Sequence, residues 1–167
     1  KATYQTKIVS YKARDGKELF GYLTLPFGAE KGNHPFVVYP HGGPQARDFF
    51  RWDDTTQLLA SRGYAVFQPQ FRGSSGFGKR FAHAGYREWG GLMQNDLTDA
   101  VKHVFETGRA SADNTCIVGY SYGGYAALYG GATTPELYKC IVSGGGVTDL
   151  NQTLKDEFDK FGKHSAP

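Results

Sequence analysis

The run Gly119-Tyr120-Ser121-Tyr122-Gly123-Gly124 sets one serine between glycines two residues away on either side. The apolar stretch Thr115 to Val118 before it reads as a strand, and the small-residue stretch Tyr122 to Thr133 after it reads as a helix. A G-x-S-x-G turn between strand and helix is sharp enough to force the serine into a strained conformation. Side chains at the flanking glycine positions would collide with neighbouring backbone. The hydroxyl then stands at the C-terminal edge of a sheet, where it can attack a carbonyl carbon. The amide of Tyr122, at the helix N-terminus, points to the same place and can stabilise the oxyanion that forms. The plain alternative is a glycine-rich turn with a bystander serine, which the strand–turn–helix setting disfavours.

His41-Gly42-Gly43-Pro44 carries the second signal, directly after the apolar run Phe36 to Tyr39. A loop in this place supplies the other oxyanion donor in such sites, and glycine lets backbone N–H groups approach the substrate. Pro44 has no N–H, so the donor is Gly43 or Gly42. His41 reads as a residue that hydrogen-bonds and shapes this loop rather than as a general base.

The elements that must position these residues follow from periodicity. Lys7 to Ala13 and Glu18 to Leu25 read as a hairpin around Asp15-Gly16, an antiparallel edge. Phe36 to Tyr39, Tyr64 to Gln68, Thr115 to Val118 and Lys139 to Ser143 are apolar at nearly every position, as strands buried on both faces are. Between them lie helices at Thr55 to Ser61, around Leu97, Ala100, Val101, Val104 and Phe105, and at Tyr122 to Thr133. Asp96 and Asp99 fall near the expected start of the second helix, where acidic residues suit the dipole. Gln70 to about Gly91 reads as a long loop, and Phe158 and Phe161 as the end of a helix or a loosely packed tail. The alternation predicts an α/β fold: a mostly parallel sheet with helices on both faces.

Composition bounds the function. The chain has 167 residues, 40% hydrophobic and 21% charged, as in a folded globular domain. Its formal charge is +3 with no long basic run, which gives little support for nucleic acid binding. No apolar stretch is long enough for a membrane helix. No His/Cys cluster has metal-ligand spacing, the P-loop Lys is absent from Gly119–Gly124, and no cofactor is expected. Cys116 and Cys140 each sit in a short apolar run and read as buried thiols, with no disulfide scaffold implied. Glycine is in excess, 23 residues, and it clusters: seven lie from Gly63 to Gly91 and eight from Gly119 to Gly146.

Taken in order, His41–Pro44, Ser61-Arg62-Gly63-Tyr64-Ala65-Val66, Phe71-Arg72-Gly73-Ser74-Ser75-Gly76-Phe77-Gly78, Asp96 and Gly119–Gly124 resemble the prolyl oligopeptidase family of serine peptidases. Within it the likeness is to acylaminoacyl and dipeptidyl peptidases, and it covers about Tyr11 to Asp149. The Arg-Gly-Ser-x-Gly-x-Gly block is more specific than the serine turn alone. The resemblance implies an α/β-hydrolase fold and hydrolysis of peptide or acyl-peptide bonds through an acyl-enzyme. It implies Ser121 as nucleophile and the amides of Gly43 and Tyr122 as oxyanion donors.

The chain departs from that pattern in its proton-transfer residues. The family places its acid and histidine after two further strands, past residue 167. Here His164 is the one histidine after Ser121, and Asp149 the one acid just after a strand; both read as surface residues. The family's β-propeller has no counterpart either. The expectation is therefore a partial catalytic domain, inactive by itself, with its C-terminal part and any propeller elsewhere. A truncated sheet is expected to expose an edge and associate, with a homo-oligomer as one outcome. Trp89, Phe77 and Arg72 are candidate substrate contacts in the loops after the strands. For Arg72 the alternative is that it ties its glycine-rich loop in place. A carboxylesterase of the same fold, or an inert binding domain, are the rival functions, and composition leaves the compartment open.

Overall fold

A computed structural model of the chain describes residues 4–29, 32 and 34–161. The hairpin forms as expected. β1 (Thr6–Lys12) and β2 (Glu18–Thr24) pair antiparallel, with Tyr11 opposite Leu19, around a turn in which Gly16 has φ +82°. β2 also pairs antiparallel with β4 (Ala65–Gln70). β3 (His34–Val38) lies parallel between β4 and β5 (Ala110–Tyr120), and β6 (Cys140–Gly144) runs parallel to β5. The six strands stand in the order β1-β2-β4-β3-β5-β6.

Helices make the crossovers. α1 (Asp54–Ala60) joins β3 to β4, and Asp53 caps it by accepting from Thr56 N at 2.8 Å. α3 (Leu92–Glu106) joins β4 to β5, and α4 (Tyr122–Thr133) joins β5 to β6. The period-two pleat divides each central strand between two faces. Phe36, Val38, Ala65, Phe67 and Ile117 pack with Ala100, Val101 and Val104 of α3 and Ala127 of α4 in the main core. Val37 and Val66, out of phase with them, are equally buried on the opposite face, where α1 packs on β4. This is a mostly parallel, doubly wound sheet with helices on both faces.

The structure corrects several local expectations. α3 starts four residues before Asp96, so Asp96 and Asp99 are not first-turn residues; they are drawn into ion pairs instead. The long loop after β4 holds a short helix, α2 (Lys79–His83), in which no residue is fully buried and only Phe81 packs on the core, so no apolar periodicity shows. A further helix, α5 (Leu150–Phe161), follows β6.

β6 is apolar as a doubly buried strand would be, yet Ile141 is 42% and Val142 50% exposed. Among the described residues β5 is its one strand neighbour, and its other edge is open. The cysteines are not free thiols. Cys116 of β5 and Cys140 of β6 are register partners with Cα atoms 4.6 Å apart, and they form a disulfide. Their pairing depends on strand order and register, which short apolar runs do not reveal.

Candidate active site

The turn from β5 into α4 places Ser121. Its backbone sits at φ 55°, ψ −120°, a conformation that L-residues other than glycine rarely adopt. Two bonds hold it there. Ser121 N donates to Gly144 O of β6 at 2.9 Å, and Ser121 O accepts from Tyr125 N of α4 at 3.0 Å. The flanking glycines are required by space. A Cβ on Gly119 would collide with the backbone of Gly123, and one on Gly123 would collide with the carbonyl of Pro40. Ser121 is also the N-cap of α4, so the first amides of that helix, Tyr122 among them, have no intrahelical acceptor.

The loop after β3 lies directly against this turn. A Cβ on Gly42 would stand 3.1 Å from Tyr120 O and 3.4 Å from Ser121 Cβ. Gly43 has φ +123°, and a side chain there would press on the amides of Gln45 and Ala46. Gly43 also borders a cavity of about 440 Å³, with Trp89, Tyr86, Arg87 and Glu157 on its walls. The structure thus brings Ser121, Gly43, Tyr122 and Trp89 to one end of the sheet. Trp89 packs edge-on against Tyr122 at 4.6 Å and lies 5.1 Å from Tyr125.

The other two candidate substrate contacts lie elsewhere. Phe77 is absent from the walls of that cavity. It packs on Phe20 at 5.0 Å and Phe81 at 5.5 Å, under the Arg47 guanidinium at 4.4 Å. Arg72 is 4% exposed and fully engaged by acids. It donates from Nε and Nη2 to Asp96 at 2.8 and 2.7 Å, and from Nη1 to Asp15 at 2.8 Å. Arg72 is therefore not presented to a substrate; it ties down the loop that follows β4. Burial pushes the Asp96 carboxyl up, and the Arg72 donors pull it back.

His41 is one step removed from the nucleophile. Its ring stacks on Phe71 at 4.4 Å, with Nδ1 2.8 Å from Gly42 O and Nε2 2.8 Å from Ser74 Oγ. Burial lowers its pKa to about 4, so it is neutral near pH 7. Sequence reasoning missed Ser74 as the partner of His41, Asp15 as a partner of Arg72, and Glu157 on the cavity wall. Ser74 does sit in the Arg-Gly-Ser block, the one signal that could have marked it. Among the described residues no side chain hydrogen-bonds Ser121 Oγ, and no group of three or more His, Cys, Asp or Glu side chains could hold a metal ion. Asp149 is exposed and caps α5 through Gln152 N at 2.9 Å; His164 lies outside the described residues.

Residues 50–165 match the model of the prolyl oligopeptidase family of peptidases. The chain belongs to that family. It is 45% identical over 153 residues to dipeptidyl aminopeptidase BIII of Pseudoxanthomonas mexicana, covering 87% of this chain and 22% of that protein. It is 36% identical over 161 residues to dipeptidyl peptidase family member 6 of Caenorhabditis elegans, covering 84% of this chain and 22% of that protein. Among solved structures, Pyrococcus horikoshii acylaminoacyl peptidase superposes with a TM-score of 0.81 at 26% identity, covering 88% of this chain and 24% of the other. A Mycobacterium tuberculosis puromycin-hydrolysing peptidase gives 0.84 at 26% identity, covering 91% and 24%. The fold is the α/β-hydrolase fold, and the chain spans about a fifth of the length of the curated relatives it matches. No helix among the described residues is long and apolar enough to cross a membrane.

Proposed function

We propose that the whole protein is a serine peptidase that cleaves short peptides or acyl-peptides through an acyl-enzyme on Ser121. The observation that carries this reading is the positive-φ backbone of Ser121 at a strand–helix turn, with the Gly42–Gly43 loop packed against it. In the proposed step Ser121 Oγ attacks the scissile carbonyl, and the amides of Gly43 and Tyr122 hold the oxyanion. The residue that takes the Ser121 proton is proposed to lie past residue 167, because none of the described imidazoles reaches Ser121. Trp89 and the cavity beside Gly43 are the proposed contact for an apolar part of the substrate.

Labelling of the full-length protein with a fluorophosphonate, compared with Ser121→Ala, tests the nucleophile. Label on the wild type and none on the variant is expected. A wild type that turns over peptide amides but never labels would remove Ser121 from this role. Turnover of dipeptidyl and acyl-amino-acid anilides against a short p-nitrophenyl ester tests the substrate class, and ester cleavage with no amide cleavage would make the protein an esterase. Residues 1–167 alone are expected to be inert, and hydrolysis that is lost on Ser121→Ala or His164→Ala in that segment would contradict this.

A further inference from the structure

Three short contacts run in series beneath the oxyanion loop. Gly42 O lies 2.8 Å from His41 Nδ1, His41 Nε2 lies 2.8 Å from Ser74 Oγ, and Ser74 Oγ lies 2.7 Å from Phe71 O. The two ends are carbonyl oxygens, which only accept. A neutral imidazole brings one hydrogen and the hydroxyl one more. Two hydrogens therefore serve three contacts, and burial of His41 near pH 7 withholds the third, which imidazolium would supply.

Where the two hydrogens go decides the shape of the loop. With the ring hydrogen on Nδ1, His41 donates to Gly42 O, and Nε2 accepts from the Ser74 hydroxyl. With it on Nε2, His41 donates to Ser74, Ser74 donates to Phe71 O, and the bare Nδ1 lone pair faces Gly42 O. Each arrangement leaves one contact without a hydrogen: the first sets Ser74 Oγ against Phe71 O, and the second sets Nδ1 against Gly42 O. In the first, Phe71 O still accepts from Ser74 N at 3.1 Å; in the second, Gly42 O has no donor among the described residues. That oxygen matters because Gly42 C=O and Gly43 N–H belong to one planar trans peptide and point in opposite directions. An anchor on Gly42 O aims the Gly43 N–H.

We infer that Ser74 is a positioning residue for the oxyanion donor: its buried hydroxyl holds His41 in the Nδ1–H tautomer that anchors the Gly42–Gly43 peptide. The inference rests on the reading of Ser121 and Gly43 given above. The geometry around Ser74 suits the role. Ser74 is fully buried, its own N–H donates to Phe71 O at 3.1 Å, and Ser75 N donates to Ala46 O at 2.9 Å, joining this loop to the oxyanion loop. The hydroxyl lies within reach of two acceptors, His41 Nε2 and Phe71 O, and the ring faces this one hydroxyl.

The test uses the full-length enzyme with its best peptide anilide. Removing a single oxyanion donor costs about 100- to 1000-fold in kcat, so misaiming one is expected to cost about 10- to 50-fold in Ser74→Ala, with KM within about twofold. Ser74→Thr, which keeps the hydroxyl, is expected to recover most of that loss. In a His41→Asn background, where an amide N–H stands near the Nδ1 position without needing Ser74, the Ser74→Ala effect is expected to shrink below about threefold. Should Ser74→Ala fail to fold, Ser74→Cys keeps the shape with a weak donor and is expected to show the same kcat loss. A kcat unchanged on removing the hydroxyl, a loss confined to KM, or an undiminished loss in the His41→Asn background each overturns the inference. Ser121→Ala is measured beside these variants. If it stays active, the reading of the site falls and this inference with it; if it is dead while Ser74 variants are normal, only the role of Ser74 falls.

Discussion

Arg72 and Asp96 are joined three times: Arg72 Nε, Nη2 and backbone N donate to the same carboxylate at 2.8, 2.7 and 2.9 Å, and the Asp96 side chain is wholly buried. This pair fixes the first residues after β4 to the second turn of α3. A buried pair of this kind is costly to break because the survivor is left charged and unpaired. Asp96→Ala is expected to destabilise the chain by about 3–5 kcal/mol. Asp15, on the outer side of Arg72, is 39% exposed, so Asp15→Ala is expected to cost less than about 1 kcal/mol. Chemical denaturation of both variants checks this, and equal losses would show that the buried half of the network has no special weight.

The same pair shows where the sequence was legible and where it was not. Asp96 and Arg72 are 24 residues apart, and nothing local tells Asp96 from an acid near a helix start. The helix start at Leu92 was hidden because Gly91 offers no side-chain cap. The serine turn was legible because its constraint is local: the collision of Gly119 with Gly123 lies within five residues. The parallel sheet was legible from alternating apolar runs, whereas the register that sets Cys116 opposite Cys140 was not. Phe77 and Trp89 look alike as loop aromatics; only the tertiary path puts one beside Gly43 and the other over Phe20.

Glycine substitutions separate two physical causes. Gly123→Ala drives a methyl into Pro40 O, and both atoms belong to backbone held by the turn and by β3's exit, so neither can yield. The expected cost is about 2–4 kcal/mol, with loss of fluorophosphonate labelling. Gly63 has φ +89° but open space around it, so Gly63→Ala meets only backbone strain, about 1 kcal/mol, and labelling is retained. Thermal melting with a labelling assay reads both, and an intact, labelled Gly123→Ala would contradict the assigned turn geometry.

Asp48, in the segment after the oxyanion loop, has a buried Oδ2 with no partner, and burial raises its pKa to about 7. The folded chain therefore keeps this proton up to about pH 7, while the unfolded chain releases it near 3.8. Between those values the folded state binds more protons, so the stability this group contributes is full at low pH and is lost as pH rises through 7. Asp48→Asn, which resembles the protonated form, is expected to be more stable than wild type at pH 8 by about 2 kcal/mol, with the difference nearly gone at pH 4. Denaturation at the two pH values checks the sign, and a gain larger at pH 4 than at pH 8 would refute it.

The open side of β6 gives the last prediction. Ile141 and Val142 are 42% and 50% exposed on a strand whose only strand neighbour among the described residues is β5. On α5, Leu154 is 65% and Phe158 69% exposed. An apolar strand with unpaired N–H and C=O groups is a template for another chain. Residues 1–167 are therefore expected to self-associate, with light scattering rising with concentration. Val142→Lys puts a charge on that edge without touching the turn at Ser121, and is expected to return the segment toward the monomer. Association unchanged by Val142→Lys but abolished by Leu154→Lys and Phe158→Lys would place the contact on α5 instead, because a helix face buries side chains and leaves the strand edge unpaired.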